Sequence, residues 1–88
     1  MISKKRILVV EDNELNRELL KEILSVQYEV LEAENGRGAL EILKHWEHQI
    51  ELILLDIQMP VMDGFAFLEQ LRKDDGLALI PVIVTTQS

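Results

Sequence analysis

The chain reads as an α/β domain built on a parallel sheet, and three observations carry that expectation. Four short apolar runs recur along it: Ile7-Leu8-Val9-Val10, Tyr28-Glu29-Val30-Leu31, Leu52-Ile53-Leu54-Leu55 and Pro81-Val82-Ile83-Val84. Between them lie stretches whose apolar residues repeat with helical spacing. Turn-forming residues, Asn35-Gly36, Asp63-Gly64 and Asp74-Asp75-Gly76, punctuate the joins. The order β-α-β-α-β-α-β implies parallel strands joined by right-handed crossovers, with helices on both faces of one doubly wound sheet.

Each element has its own signal. The first and third runs are unbroken, and the fourth becomes so after Pro81, as strands buried on both faces require. The second alternates and suits a sheet edge. Leu15, Leu19, Leu20, Ile23 and Leu24 form one stripe of a first helix, with Asn13 as its N-cap and Glu14 and Glu18 near its positive end. Ala39, Leu40, Leu43 and Trp46 mark a second helix, on which Trp46 reads as core packing. Phe65, Leu68 and Leu71, with Phe67 beside them, mark a third. His45 and His48 fall on or just after the second helix, at solvent-facing positions without an acid pair at ligand spacing, so neither reads as a metal or phosphotransfer site.

Composition narrows the function. Eighty-eight residues suit one small domain, and 48% hydrophobic with 28% charged residues is a globular profile. Sixteen Asp and Glu against nine Lys and Arg give a net charge of −7, which disfavours nucleic acid and anionic membrane surfaces. Without cysteine there is no disulfide, thiolate metal site or Cys nucleophile. Only four apolar residues follow Arg6 before Glu11, too few for a signal h-region, and no run approaches the ~18 apolar residues of a membrane span. The expectation is a cytoplasmic protein.

The acids then become informative. Ligands of open α/β sheets bind beyond the carboxyl ends of the strands. Glu11 and Asp12 leave the first strand there, and Asp56 leaves the third. If those strands are neighbours, the carboxylates meet. Two unit charges about 5 Å apart repel by roughly 3 kcal/mol at an effective dielectric near 20. Such a cluster calls for a cation or a raised pKa. All-oxygen ligands suit Mg²⁺, and a hard cation beside an exposed carboxylate suits attack of that carboxylate on phosphorus. The plainer alternative stands beside this one: Glu11-Asp12 before a helix can simply favour its macrodipole.

Two segments carry a family resemblance. Residues 7–13 read ILVVEDN and residues 54–64 read LLDIQMPVMDG. Together they resemble the receiver domain of two-component response regulators, over about Lys5 to Thr86. The resemblance implies a flavodoxin-like, three-layer sheet with strand order 2-1-3-4-5. It implies Asp56 as phosphoacceptor, and a Mg²⁺ site (Mn²⁺ as substitute) from Asp12, Glu11 largely through water, Asp56 and the backbone carbonyl of Gln58. Thr86 would hydrogen-bond the phosphoryl group, with Thr85 as its rival; Met59-Pro60 and Asp63-Gly64 would shape the adjoining loop. The implied function is to take a phosphoryl group from a histidine kinase or phosphotransfer protein and to switch a protein-interaction surface. Such a module has no external product and is not an enzyme in that sense. The competing readings are an interaction or dimerisation module with a vestigial acidic site, and an aspartyl-phosphate phosphatase. The latter is disfavoured because Gln58 stands where those enzymes commonly place a second Asp.

Two departures accompany the resemblance. Gln87 stands where the family usually has a small residue. Residues 1–88 also read as a receiver incomplete at its C-terminus, ending past the fourth strand, before the fifth strand and final helix of the family with their Lys and switching aromatic. The fourth strand is then expected at an edge, and association through it, as a homodimer or segment-exchanged oligomer, is expected with it.

Overall fold

The computed structural model describes residues 4–46, 49–56 and 64–85. Its elements run β1 (Lys5–Val10), α1 (Glu14–Leu24), β2 (Tyr28–Ala33), α2 (Gly36–Trp46), β3 (Leu52–Asp56), α3 (Gly64–Arg72), a 3-10 turn (Leu77–Leu79) and β4 (Val82–Thr85). All three strand pairings are parallel, and the sheet order is β2-β1-β3-β4. The doubly wound α/β reading is borne out, with the alternating run at one edge and the fourth strand at the other.

β1 lies in the interior of the sheet, and Ile7, Leu8, Val9 and Val10 are all buried, as an unbroken apolar run requires. Successive side chains point to opposite faces. Leu8 and Val10 share a cluster with Ile53 and Leu55 of β3, Leu43 of α2 and Phe67 of α3. Ile7 and Val9 lie outside that cluster and point to the other face, where α1 packs on β1 and β2.

Local chemistry sets the helix ends. The Asn13 side chain accepts from the Asn16 amide at 3.0 Å and caps α1. Asn35 does the same for α2, accepting from the Gly38 amide at 2.8 Å. Beyond α3, Asp74 Oδ1 accepts from the amides of Gly76 (3.0 Å) and Leu77 (3.1 Å), turning the chain into the 3-10 segment. At the sheet end where β1 begins, Arg6 bonds Glu29 at 2.8 Å and Gln49 at 3.0 Å while its guanidinium stacks 4.2 Å from the Trp46 ring centroid. Trp46 packs against the core as expected, and His45 is exposed.

The expected apolar faces need three corrections. On α1, the sheet-facing side carries the half-buried Asn16, Arg17, Leu20 and Leu24, while Leu15, Leu19 and Ile23 stand in solvent at 48–67% exposure. The stripe spans more of the helix circumference than β1 and β2 can cover. On α3, Phe67 and Leu71, with Gly64 one turn earlier, form the buried i, i+4 row, which leaves Phe65 68% exposed. On β4, Ile83 and Val84 are exposed although the run is unbroken, because among the described residues β4 pairs only with β3, at the edge of the sheet.

Phe67→Ala should cost about 3–5 kcal/mol, the range for emptying a buried aromatic site, while Phe65→Ala should stay within about 0.5 kcal/mol. Urea denaturation of the two variants checks this contrast; equal losses would contradict the assigned face.

Candidate functional site

The site follows from register. Val10 of β1 is paired with Leu55 of β3, so the next residues, Glu11 and Asp56, emerge side by side at the carboxyl edge of the sheet. The Glu11 amide donates to the Ala33 carbonyl at 3.0 Å, extending the pairing of β1 with β2 by one step. Asp12 follows in the turn before α1 and is exposed. Carboxylate oxygens of Glu11, Asp12 and Asp56 all lie within 4.8 Å of one another. Glu11 and Asp56 are the buried members, at 4% and 6% exposure.

Burial and like charge have a measurable consequence. The Glu11 pKa is raised from the ordinary 4.5 to about 7. Desolvation is the largest cause, followed by a hydrogen bond in which the protonated carboxyl donates to Asp56. The charges of Asp56 and Asp12 push the same way, and a hydrogen bond from the Asn16 side chain opposes them. Three carboxylates this close to one another could hold a hard divalent cation, and the donors they offer are all oxygens.

The first turns of α1 supply two groups that the reading of the sequence did not single out. Asn16 reaches the Glu11 carboxylate, and Arg17 Nη1 donates to the Glu11 backbone carbonyl at 2.9 Å. The available signal is position: side chains one turn into a helix lean toward its N-terminus, here toward the strand ends. Thr85 pairs in register with Asp56 and donates from Oγ1 to the Leu55 carbonyl at 3.3 Å. With Glu11, Asn16, Leu19, Leu20 and Ile23 it lines a cleft of about 300 Å³ beside the acids. His48, Gln58, Met59-Pro60, Asp63, Thr86 and Gln87 lie outside the described residues.

A doubly wound parallel α/β sheet with three carboxylates gathered at the ends of two adjacent strands places the chain in the flavodoxin-like class. The particular family is clear from comparison: residues 7–88 match the response regulator receiver domain, and the chain belongs to that family. It is 41% identical over 83 residues to the polar-differentiation response regulator DivK of Brucella anthropi, covering 93% of this chain and 66% of that protein. Among solved structures it is similar to the phosphorylated cyanobacterial phytochrome response regulator RcpA, with 33% identity and a TM-score of 0.86 over 98% of this chain and 67% of that one. It is similar also to the Mn²⁺-bound form of the response regulator Rcp1, with 33% identity and a TM-score of 0.82 over 96% of this chain and 66% of that one. The chain thus spans just under two thirds of the length of the curated relative it matches.

The raised Glu11 pKa sets a sign for stability. The folded chain binds this proton more tightly than the unfolded chain, so the contribution is complete below about pH 4.5 and is lost as pH rises through about 7. Without divalent ions, the melting temperature should therefore fall between pH 5 and pH 8, by an amount corresponding to at most about 3 kcal/mol. Glu11→Gln, which cannot ionise, should flatten that slope. Thermal melts of both proteins across this range test it, and parallel slopes would refute it.

Proposed function

We propose that this chain is the phosphoacceptor part of a response regulator, taking a phosphoryl group onto Asp56. The convergence of Glu11, Asp12 and Asp56 at the carboxyl edge, with Asp56 at the end of β3, carries the reading. An Asp56 carboxylate oxygen attacks phosphorus, the bond from phosphorus to the donor's nitrogen breaks, and an aspartyl phosphate forms. Hydrolysis later returns the carboxylate and inorganic phosphate. When bound, Mg²⁺ (or Mn²⁺) neutralises the negative charge that accumulates between the acids and the phosphoryl oxygens. Asp12 and Asp56 would hold it directly, Glu11 largely through water, and the Gln58 carbonyl would be a further ligand. Glu11 would face the ion as a carboxylate, with the Asn16 side chain hydrogen-bonded to it. Thr86 is proposed to hydrogen-bond the phosphoryl group.

The donor partner on this reading is a histidine kinase or phosphotransfer protein, as befits membership of the receiver family. The module signals through a changed surface and, apart from the phosphate of its own dephosphorylation, releases no product. We place it in the cytoplasm; no described helix is long and apolar enough to cross a membrane. Residues 1–88 are read as receiver-domain sequence. Self-association through β4 belongs to the same proposal, supported by the exposed, uncharged Ile83 and Val84 on that edge.

Incubation with Mg²⁺ and acetyl phosphate should give a base-labile adduct, seen by mass spectrometry as one added phosphoryl group. Asp56→Asn should abolish it, and Asp12→Asn should weaken Mg²⁺ binding at least about ten-fold. Bound Mg²⁺ without any adduct would instead favour the vestigial module, and rapid multiple turnover a phosphatase. Size-exclusion chromatography across a dilution series should show a dimer that dissociates; a monomer at every concentration would remove the β4 contact.

A further inference from the structure

Arg17 sits where three parts of the fold meet. From α1 it donates Nη1 to the Glu11 carbonyl at 2.9 Å, and its Nε lies 3.9 Å from Glu32 Oε1 on β2. Its side chain is only 17% exposed and that of Glu32 28%. Lys21, one turn further along α1, approaches the other Glu32 oxygen at 3.4 Å but is 54% exposed. The Glu11 amide is already held by the Ala33 carbonyl. Both backbone polar groups of Glu11 are therefore engaged, its N–H by β2 and its C=O by Arg17.

That carbonyl belongs to the peptide joining Glu11 to Asp12, the two acids that leave β1. Carboxylates gathered this closely repel one another when ionised, so the turn that carries two of them needs to be held in place. A planar guanidinium can bond a carbonyl with one nitrogen while facing a carboxylate with another, which an ammonium at one point cannot reproduce.

We propose that Arg17, braced by Glu32, is a positioning residue for the divalent-ion site: it pins the Glu11–Asp12 peptide so that both carboxylates stay aimed at Asp56. The inference rests on the proposed cation site and adds to it a residue that touches none of the ion's expected ligand atoms. A merely stabilising role, tying α1 to β2, would be shared by Lys21, which pairs with Glu32 without touching Glu11.

The test is Mg²⁺ titration calorimetry on the whole chain, with hydrogen exchange of the metal-free protein alongside. Arg17→Ala should weaken Mg²⁺ binding about ten-fold, the lower end of the effect of losing an outer partner of a metal ligand. It should also speed exchange at the Asp12 amide. Arg17→Lys, which keeps the charge and guards against a folding defect, should fall between Arg17→Ala and the parent, and Glu32→Gln should lose less than Arg17→Ala. Lys21→Ala should leave Mg²⁺ binding unchanged. Parent-like affinity in Arg17→Ala, or an equal loss in Lys21→Ala, overturns the assignment while leaving the cation site intact. Absence of Mg²⁺ binding by the parent chain overturns both.

Discussion

Parallel pairing of β1 with β3 is the constraint on which the rest turns. Strands of a βαβ unit run the same way, so their carboxyl ends lie together, and whatever follows Val10 must sit beside whatever follows Leu55. Here those residues are acids. The pairing is held by apolar burial on both faces, through Leu8, Val10, Ile53 and Leu55 on one side and Ile7 and Val9 on the other. Stability gathered in the middle of the sheet is thus what holds like charges together at its edge. A change of one residue in this register would exchange the two faces of β3 and carry Asp56 away from Glu11.

The electrostatic consequences are confined to a few residues. Glu11 and Asp56 are buried together, Asp12 is in solvent, and burial beside these acids raises the Glu11 pKa to about 7. α1 contributes by its first turns: Asn13 caps it, Asn16 reaches the Glu11 carboxylate and Arg17 the Glu11 carbonyl. The helix that covers Ile7 and Val9 therefore also shapes the site.

One face of the sheet is covered unevenly. Along the row Val9, Leu54, Ile83, which is in register across β1, β3 and β4, exposure rises from buried through half-buried to exposed. Leu15, Leu19 and Ile23 of α1 flank the same side, and the cleft with Thr85 and Glu11 opens between them. The opposite face, under α2 and α3, carries the main hydrophobic cluster. The asymmetry brings apolar surface directly up to the acids.

Much of this was legible beforehand. The four runs and the helical spacings predicted the described strands and α-helices in order, though not the 3-10 segment at Leu77–Leu79, because burial on both faces and amphipathic packing leave distinct periods in a chain. The strand-end rule singled out Glu11, Asp12 and Asp56, and the motif letters pointed to the family. Periodicity did not tell which part of a broad stripe is covered: Leu19 and Leu20 look alike in sequence, yet one is exposed and the other half-buried. Nor did it separate Phe65 from Phe67, since either fits a helix and only packing against α2 and the sheet chooses. Asn16 and Arg17 read as ordinary polar positions on a helix flank. The sequence by itself determined the order of elements and the chemistry available at the strand ends, because both depend on local period and residue type. The side on which each helix buries itself, the raised pKa of Glu11 and the Arg17 contact were decided only by the tertiary structure, because each depends on how separate elements pack together.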